Sequence, residues 1–179
     1  PFTFGHAEWP SLVFVNGRYD KTLSTAVGVV PSVRALDLAT ALRDEPALVE
    51  PWLGKISPSE GRSFTALNAA FMADGAVVHI AAECVVPHPL HLIFVSNASA
   101  AKGVAHPRNI IVAGKHSKAT IIESYVSIGD SGYFTNAVTE VAVEAGATLS
   151  HYKIQRESQR AFHVHTIDTQ QARDSHYVS

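Results

Sequence analysis

The sequence holds a single cysteine, Cys84, among 179 residues. One thiol excludes an intrachain disulfide framework and a multi-cysteine zinc site. A reducing, cytoplasmic setting is the simplest reading of that scarcity. Blocks of lysine or arginine are missing too, and 14 basic against 16 acidic residues leave a formal net charge of −2. That balance argues against a dedicated binder of nucleic acid or of an anionic membrane surface. The longest apolar runs, such as Leu90–Val95 and Ile110–Ala113, fall far short of the roughly 20 residues a membrane-spanning helix needs. Glycines 103, 114, 129, 132 and 146 stand singly. They form neither a Walker-type phosphate loop nor a GxGxxG turn, so nucleotide binding by this chain is not expected. A GxSxG nucleophile elbow and an evident catalytic triad are also lacking.

What is present is a foldable composition. Hydrophobic residues make up 46% and charged ones 17%, too apolar for a disordered chain and long enough for one domain with a sizeable core. Histidine occurs ten times. The chain starts Pro1-Phe2-Thr3 without Met or a signal-peptide pattern, and it stops in the strand-like stretch Ser175–Ser179. It is expected to be a piece of a longer protein.

Two regions are expected, a lead-in over residues 1–61 and a core over 62–179. Ser11–Val15 reads as a strand, and Asn16-Gly17 as a type I′ hairpin turn leading into a return strand over Arg18–Leu23. Ser32 is placed to cap a helix over Val33–Arg43 with Leu36, Ala39 and Leu42 on one face. Pro46 suits the first turn of a short helix ending near Leu53-Gly54. A further helix starts near Ser63, with Phe64, Leu67 and Phe71 as its buried stripe and Asp74-Gly75 closing it.

Beyond Gly75 the periodicity changes to short apolar strands: Val77–Ala81, Leu90–Ser96, Asn109–Ala113, Ala119–Ile128, Phe134–Val143, Thr148–Gln155 and Phe162–Gln170. No helix between them is long enough for a βαβ crossover. A shift of about 28 residues lays Ala119-Thr120-Ile121 over Ala147-Thr148-Leu149, Glu123 over His151 and Phe134 over Phe162. A shift of about 30 lays His79-Ile80 over Asn109-Ile110 and Leu92 over Ile122. Such a rung suits a β-solenoid, whose coils bury their inward residues only by stacking on one another. An antiparallel sandwich or barrel has the same strand content.

Several stretches resemble the SufB/SufD family. These are Phe64–Phe71 followed by Asp74-Gly75 and Val77–Ile80, then His106-Pro107-Arg108-Asn109, Glu123-Ser124-Tyr125 and Phe134–Glu140, then His151-Tyr152-Lys153 and Gln170–Ser175. The hairpin Leu12–Tyr19 and Leu23-Ser24 are closer to the SufD branch. The resemblance runs from about Leu12 to Ser175. It implies a mainly β fold, a right-handed parallel β-helix between helical ends. It also implies a cytoplasmic, non-enzymatic scaffold subunit of an iron–sulfur cluster assembly complex. Its implied partners are a SufB-like subunit and a SufC-like ATPase, or a second copy of itself. The segment that docks the ATPase and a late Cys/His stretch lie past the residues matched here. No cofactor is firmly implied, and iron or an iron–sulfur cluster belongs to the assembled complex alone.

The histidines raise a metal alternative. His163 and His165, two apart on one strand, share a face, and imidazole and carboxylate both suit iron. The one-coil shift sets Glu123 beside His151, where the carboxylate would orient the ring. His163, His165, His151 and Glu123 are therefore the candidate ligands. The plainer reading is a histidine ladder on the outside of a solenoid wall. Cys84, between Ala82 and Val85-Val86, is expected to pack rather than react. Arg173 and Asp174 are expected to form an ion pair at a solenoid turn. A histidine-based iron-delivery module and a carbohydrate-active β-helix enzyme are the competing functions. The latter would want clustered carboxylates.

Overall fold

The structure is a computed structural model and describes residues 9–25, 32–97 and 103–179. Its elements in chain order begin with β1 (Ser11–Val15), β2 (Arg18–Tyr19), β3 (Val33–Asp37), α1 (Leu38–Asp44) and a 3-10 turn at Pro46–Leu48. Next come α2 (Ser63–Phe71), β4 (Ala76–Ile80), β5 (Leu90–Ser96), β6 (Val104–Ala105) and β7 (Arg108–Ala113). The last five are β8 (Lys118–Ser127), β9 (Phe134–Val143), β10 (Thr148–Arg156), β11 (Phe162–Gln171) and β12 (His176–Val178).

The strands divide between two facing sheets. One has the order β12-β10-β8-β5-β1-β2 and the other β11-β9-β7-β4-β3, with the short β6 also paired to β9. Every pairing is parallel except β1 with β2 and β3 with β4. The result is a parallel β-solenoid of about three turns. From β7 onward consecutive strands alternate sheets and each stacks on the coil before it, so no helical crossover is needed. Val77 lies opposite Ile110, Arg108 opposite Val138 and Phe134 opposite Phe162, so the repeat shortens from 33 through 30 to 28 residues. The 28-residue match of Phe134 with Phe162 is found. In the other sheet Leu149 faces Ala119 and Lys153 faces Glu123, so that offset is 30 rather than 28.

The corners between the two sheets are built alike. Glu83, His116, Gly146 and Asp174 all take positive φ, at 62, 54, 69 and 57°. They also hydrogen-bond in a column: Glu83 N–H to Lys115 O, His116 N–H to Ala145 O and Gly146 N–H to Arg173 O. A left-handed residue reverses the chain sharply, and stacking the reversals pairs their backbone groups. Arg173 and Asp174 form the expected exposed ion pair at the last of these corners.

Between the sheets lies the core, with Leu12, Phe14, Val78, Ile80, Leu92, Phe94, Ile111, Ile121, Val141 and Leu149 packed together. Phe14, Phe94 and Tyr125 occupy one register position on successive strands. Their rings stack at 4.8 and 4.7 Å with interplanar angles of 13 and 10°. Parallel strands about 4.8 Å apart dictate that spacing.

The lead-in departs from several expectations. Asn16 and Gly17 do form the hairpin turn, at φ 50 and 78°. The return strand stops at Tyr19, because Asp20 Oδ1 accepts from the Thr22 and Leu23 N–H groups and turns the chain. Val33–Asp37 is a strand antiparallel to β4 rather than the start of a helix. Helix α1 begins after Asp37, whose side chain accepts from Thr40 N–H, so Asp37 and not Ser32 is the cap. Leu38 and Ala41 are its buried residues, while Leu42 is exposed.

Helix α2 is turned over relative to its expected orientation. Its buried residues are Thr65 and Asn68, with Phe64, Leu67 and Phe71 exposed. Asn68 Nδ2 donates to the carbonyls of Pro107 and Asn136, and Asn136 Nδ2 donates to Phe64 O. The helix docks by satisfying buried carbonyls, which outweighs the pull of its apolar stripe. Gly75 does not end the helix. A Cβ there would stand 2.0 Å from Arg108 O, so glycine is required for the close approach of two strands.

Candidate functional site

The interior changes character down the stack. Tyr125 is the last ring of the aromatic ladder, and around it the inward positions become polar. Side chains two apart on a strand share a face, so Glu123 and Tyr125 of β8, Thr139 of β9, His151 and Lys153 of β10, and His163 and His165 of β11 all point between the sheets. The histidines therefore do not form a ladder on the outer wall. His163 and His165 are about 5% and 3% exposed at their side chains, and His151 and Glu123 are essentially buried.

Glu123 is the hub. Its Oε1 accepts from His151 Nε2 at 3.0 Å and from the Thr139 hydroxyl at 2.9 Å. Its Oε2 accepts from the Tyr125 hydroxyl at 2.9 Å, and His165 Nε2 lies 3.8 Å away. His151 Nδ1 meets Tyr177 Oη at 2.9 Å. A His151 ring protonated on Nε2 satisfies both contacts, donating to the carboxylate and accepting from the phenol. His165 Nε2 is 3.0 Å from Thr139 Oγ1, which also accepts from Asn109 Nδ2 at 3.1 Å. The other His165 nitrogen, Nδ1, is buried with no hydrogen-bond partner among the described residues. The juxtaposition of Glu123 and His151 arises on a diagonal. His151 faces Ile121 across the sheet and reaches the carboxylate two positions further along.

Burial alone would raise the Glu123 carboxyl. The His151 hydrogen bond, the positive charge that His165 and His151 can carry, and the Tyr125 hydroxyl outweigh it, and its pKa falls to about 2. Burial pushes His165 down to about 4, against the attraction of Glu123. Tyr125 is raised by burial and by the adjacent carboxylate. The layer beyond carries Lys153, whose Nζ is 3.0 Å from His163 Nε2 and 5.4 Å from the Tyr125 ring centre. His163 Nδ1 lies 2.7 Å from Glu157 Oε2. His163 and His165 both meet the Tyr125 ring edge-on, at 4.7 and 5.4 Å.

Glu123, His151, His163 and His165 thus come together around Tyr125, each already in contact with a protein group. Among the described residues no group of three or more His, Cys, Asp or Glu side chains is arranged to hold a metal ion. Tyr125, Thr139, Asn109 and Tyr177 completed the cluster unannounced. The available signal was the inward alternation of Glu123 and Tyr125, but Thr139 and Tyr177 arrive through register between distant strands. Cys84 is half-buried with its side chain against the core.

A second buried charge organises the outside of the other sheet. Arg108 Nη2 lies 2.6 Å from Glu140 Oε1, and both side chains are at most 2% exposed. Glu140 also accepts backbone N–H groups from Gly54, Ile56 and Ser57. Arg108 further donates to Ser57 O. The segment between the 3-10 turn and α2 is clasped to β7 and β9 by these bonds.

Two family profiles fit this arrangement of lead-in and stack. The profile described as SufBD protein N-terminal region matches residues 8–92, and the one described as SUF system FeS cluster assembly, SufBD core domain, matches residues 94–179. The chain belongs to the SufB/SufD family. An iron-sulfur cluster assembly SufBD family protein of Synechocystis sp. is 28% identical over 185 residues, covering 98% of this chain and 40% of its own length. The iron-sulfur cluster assembly protein SufD of Bacillus subtilis is 27% identical over 117 residues, covering 64% of this chain and 26% of its own. The chloroplastic protein ABCI7 of Arabidopsis thaliana is 28% identical over 123 residues, covering 65% of this chain and 26% of its own. The chain spans less than half the length of these relatives. Among the described residues no helix is long and apolar enough to cross a membrane.

Proposed function

We propose that the chain is the lead-in and solenoid of a non-catalytic scaffold subunit for iron–sulfur cluster assembly. In this reading it works in the cytoplasm with a SufB-like subunit and a SufC-like ATPase. Iron, sulfide and the growing cluster are cargo of the assembled complex. The observation that carries the reading is the joint match of the two SufB/SufD profiles, one over residues 8–92 and the other over residues 94–179. A parallel solenoid suits a scaffold, because each coil is held by its neighbours and presents a long, regular wall to partners.

The test is co-expression of the full-length protein with SufB-like and SufC-like subunits from the same organism. The expected result is a complex that survives size-exclusion chromatography and gains cluster absorbance when supplied with iron and a sulfur donor. A full-length protein that joins neither subunit overturns the proposal.

A further inference from the structure

The outward face of α2 opens an apolar surface that continues down one corner of the solenoid. Phe71 is 64% exposed and its ring stacks on His106 at 5.8 Å. His106 and Phe64 each meet the Phe134 ring edge-on, at 6.4 and 6.3 Å. Val104, 57% exposed, and Phe162, 74% exposed, lie on either side of Phe134 in register. Between them is a surface hollow of about 240 Å³ whose wall includes Arg160. Burial holds His106 below its ordinary pKa, so it joins the patch as a neutral ring. With roughly 200 Å² for each phenylalanine side chain, the patch exposes on the order of 500 Å² of apolar surface, enough to mark an interaction site.

Two guanidinium groups bracket it. Arg18 donates to Ala73 O at 3.4 Å, two residues beyond Phe71, and its neighbour Gly17 lies close enough to Ala105, beside His106, that a Cβ added there would stand 3.0 Å from the Ala105 Cβ. Arg160 stands at the other end. Among the described residues neither arginine pairs with a carboxylate. The nearby acids are taken: Asp168 pairs with Arg62, Asp130 accepts from the Ser158 hydroxyl, and Asp74 accepts backbone N–H groups.

We infer that this corner docks an amphipathic helix of a partner protein whose apolar face carries aromatic or aliphatic side chains and whose flanks are acidic. Apolar anchors fill the hollow and lie along Phe71, while carboxylates reach Arg18 and Arg160. The charge at both ends selects against basic segments. This inference stands independently of the assembly role proposed above.

The test uses the full-length protein and a fluorescein-labelled amphipathic peptide of about 20 residues, with leucine and phenylalanine at helical spacing on one face and glutamate on the other. A control peptide has lysine for every glutamate. Fluorescence anisotropy is expected to show the acidic peptide binding about tenfold tighter than the basic one, with the gap narrowing as salt rises. Phe71→Ser or Phe162→Ser is expected to weaken binding about tenfold at an unchanged thermal midpoint. The double change Arg18→Glu with Arg160→Glu is expected to reverse the preference, which a merely unfolded variant would not do. Equal binding of both peptides, no binding, or binding indifferent to these substitutions overturns the inference. So does a wild-type dimer in sedimentation velocity that Phe162→Ser dissolves, since the patch would then belong to a second copy.

Discussion

The Glu140 carboxylate accepts from Arg108 and from the lead-in N–H groups of Gly54, Ile56 and Ser57 at once, so one buried side chain holds the 54–57 segment against the solenoid. Removing it strands a buried guanidinium and three backbone donors. Glu140→Ala is expected to cost about 3–5 kcal/mol in urea unfolding. Hydrogen exchange should rise first over residues 46–61, ahead of β7 and β9. A uniform rise across the whole chain would show that the clasp has no local role.

Acid should destabilise the protein in two windows. His91 and His165 both have folded pKa values lowered to about 4 from 6.5, chiefly by burial. Between those values the unfolded chain binds protons that the native one refuses, so stability falls as pH drops from 6.5 to 4 and then levels for these groups. Glu123 is depressed from 4.5 to about 2, so its contribution is full above 4.5 and disappears as pH falls toward 2. His165→Gln is expected to remove up to about 3 kcal/mol of the upper slope and to shrink the lower one, because the His165 charge is part of what depresses Glu123. Urea midpoints measured from pH 7.5 to 2.5 check both windows. An unchanged upper slope would refute the assignment to His165.

Gly75 is a steric necessity. A methyl group there meets Arg108 backbone at 2.0 Å, where nothing flexible can yield. Gly75→Ala is expected to cost about 3 kcal/mol or more. Gly146→Ala meets the movable His116 ring instead and should cost less, despite its left-handed backbone. Thermal midpoints of the two variants decide the order.

Phe94 sits between two parallel rings. Phe94→Ala is expected to lower stability by about 3–5 kcal/mol, through lost burial and a gap between Phe14 and Tyr125. Phe94→Leu should recover more than half of the loss. Equal losses would mean that ring stacking rather than filled volume holds the ladder.

The stack was legible because its strands are short apolar runs between small residues. Leu90–Ser96 and Phe134–Val143 are found with the ends expected of them. Its regularity was harder to see, since the repeat shortens from coil to coil and the left-handed corners use Glu83, His116 and Asp174 as well as a glycine. Val33–Asp37 read as helix because its pairing with β4 is invisible locally. The turned face of α2 follows from Asn68 and two carbonyls far along the chain. Glu123 beside His151 was within reach of the repeat. Thr139 and Tyr177 were not, because their part depends on which coil lies next.

The inward face passes from stacked rings near β1 to ions near β11, and so cohesion in this molecule is graded rather than uniform. The ring-filled storeys are held by exclusion of water, a force that fades on cooling. The ionic storeys are held by a proton inventory that fades in acid. Cold should therefore act on the ring-filled end, while acid acts on the ionic end through Glu123 and His165 and reaches the other end through His91 of β5.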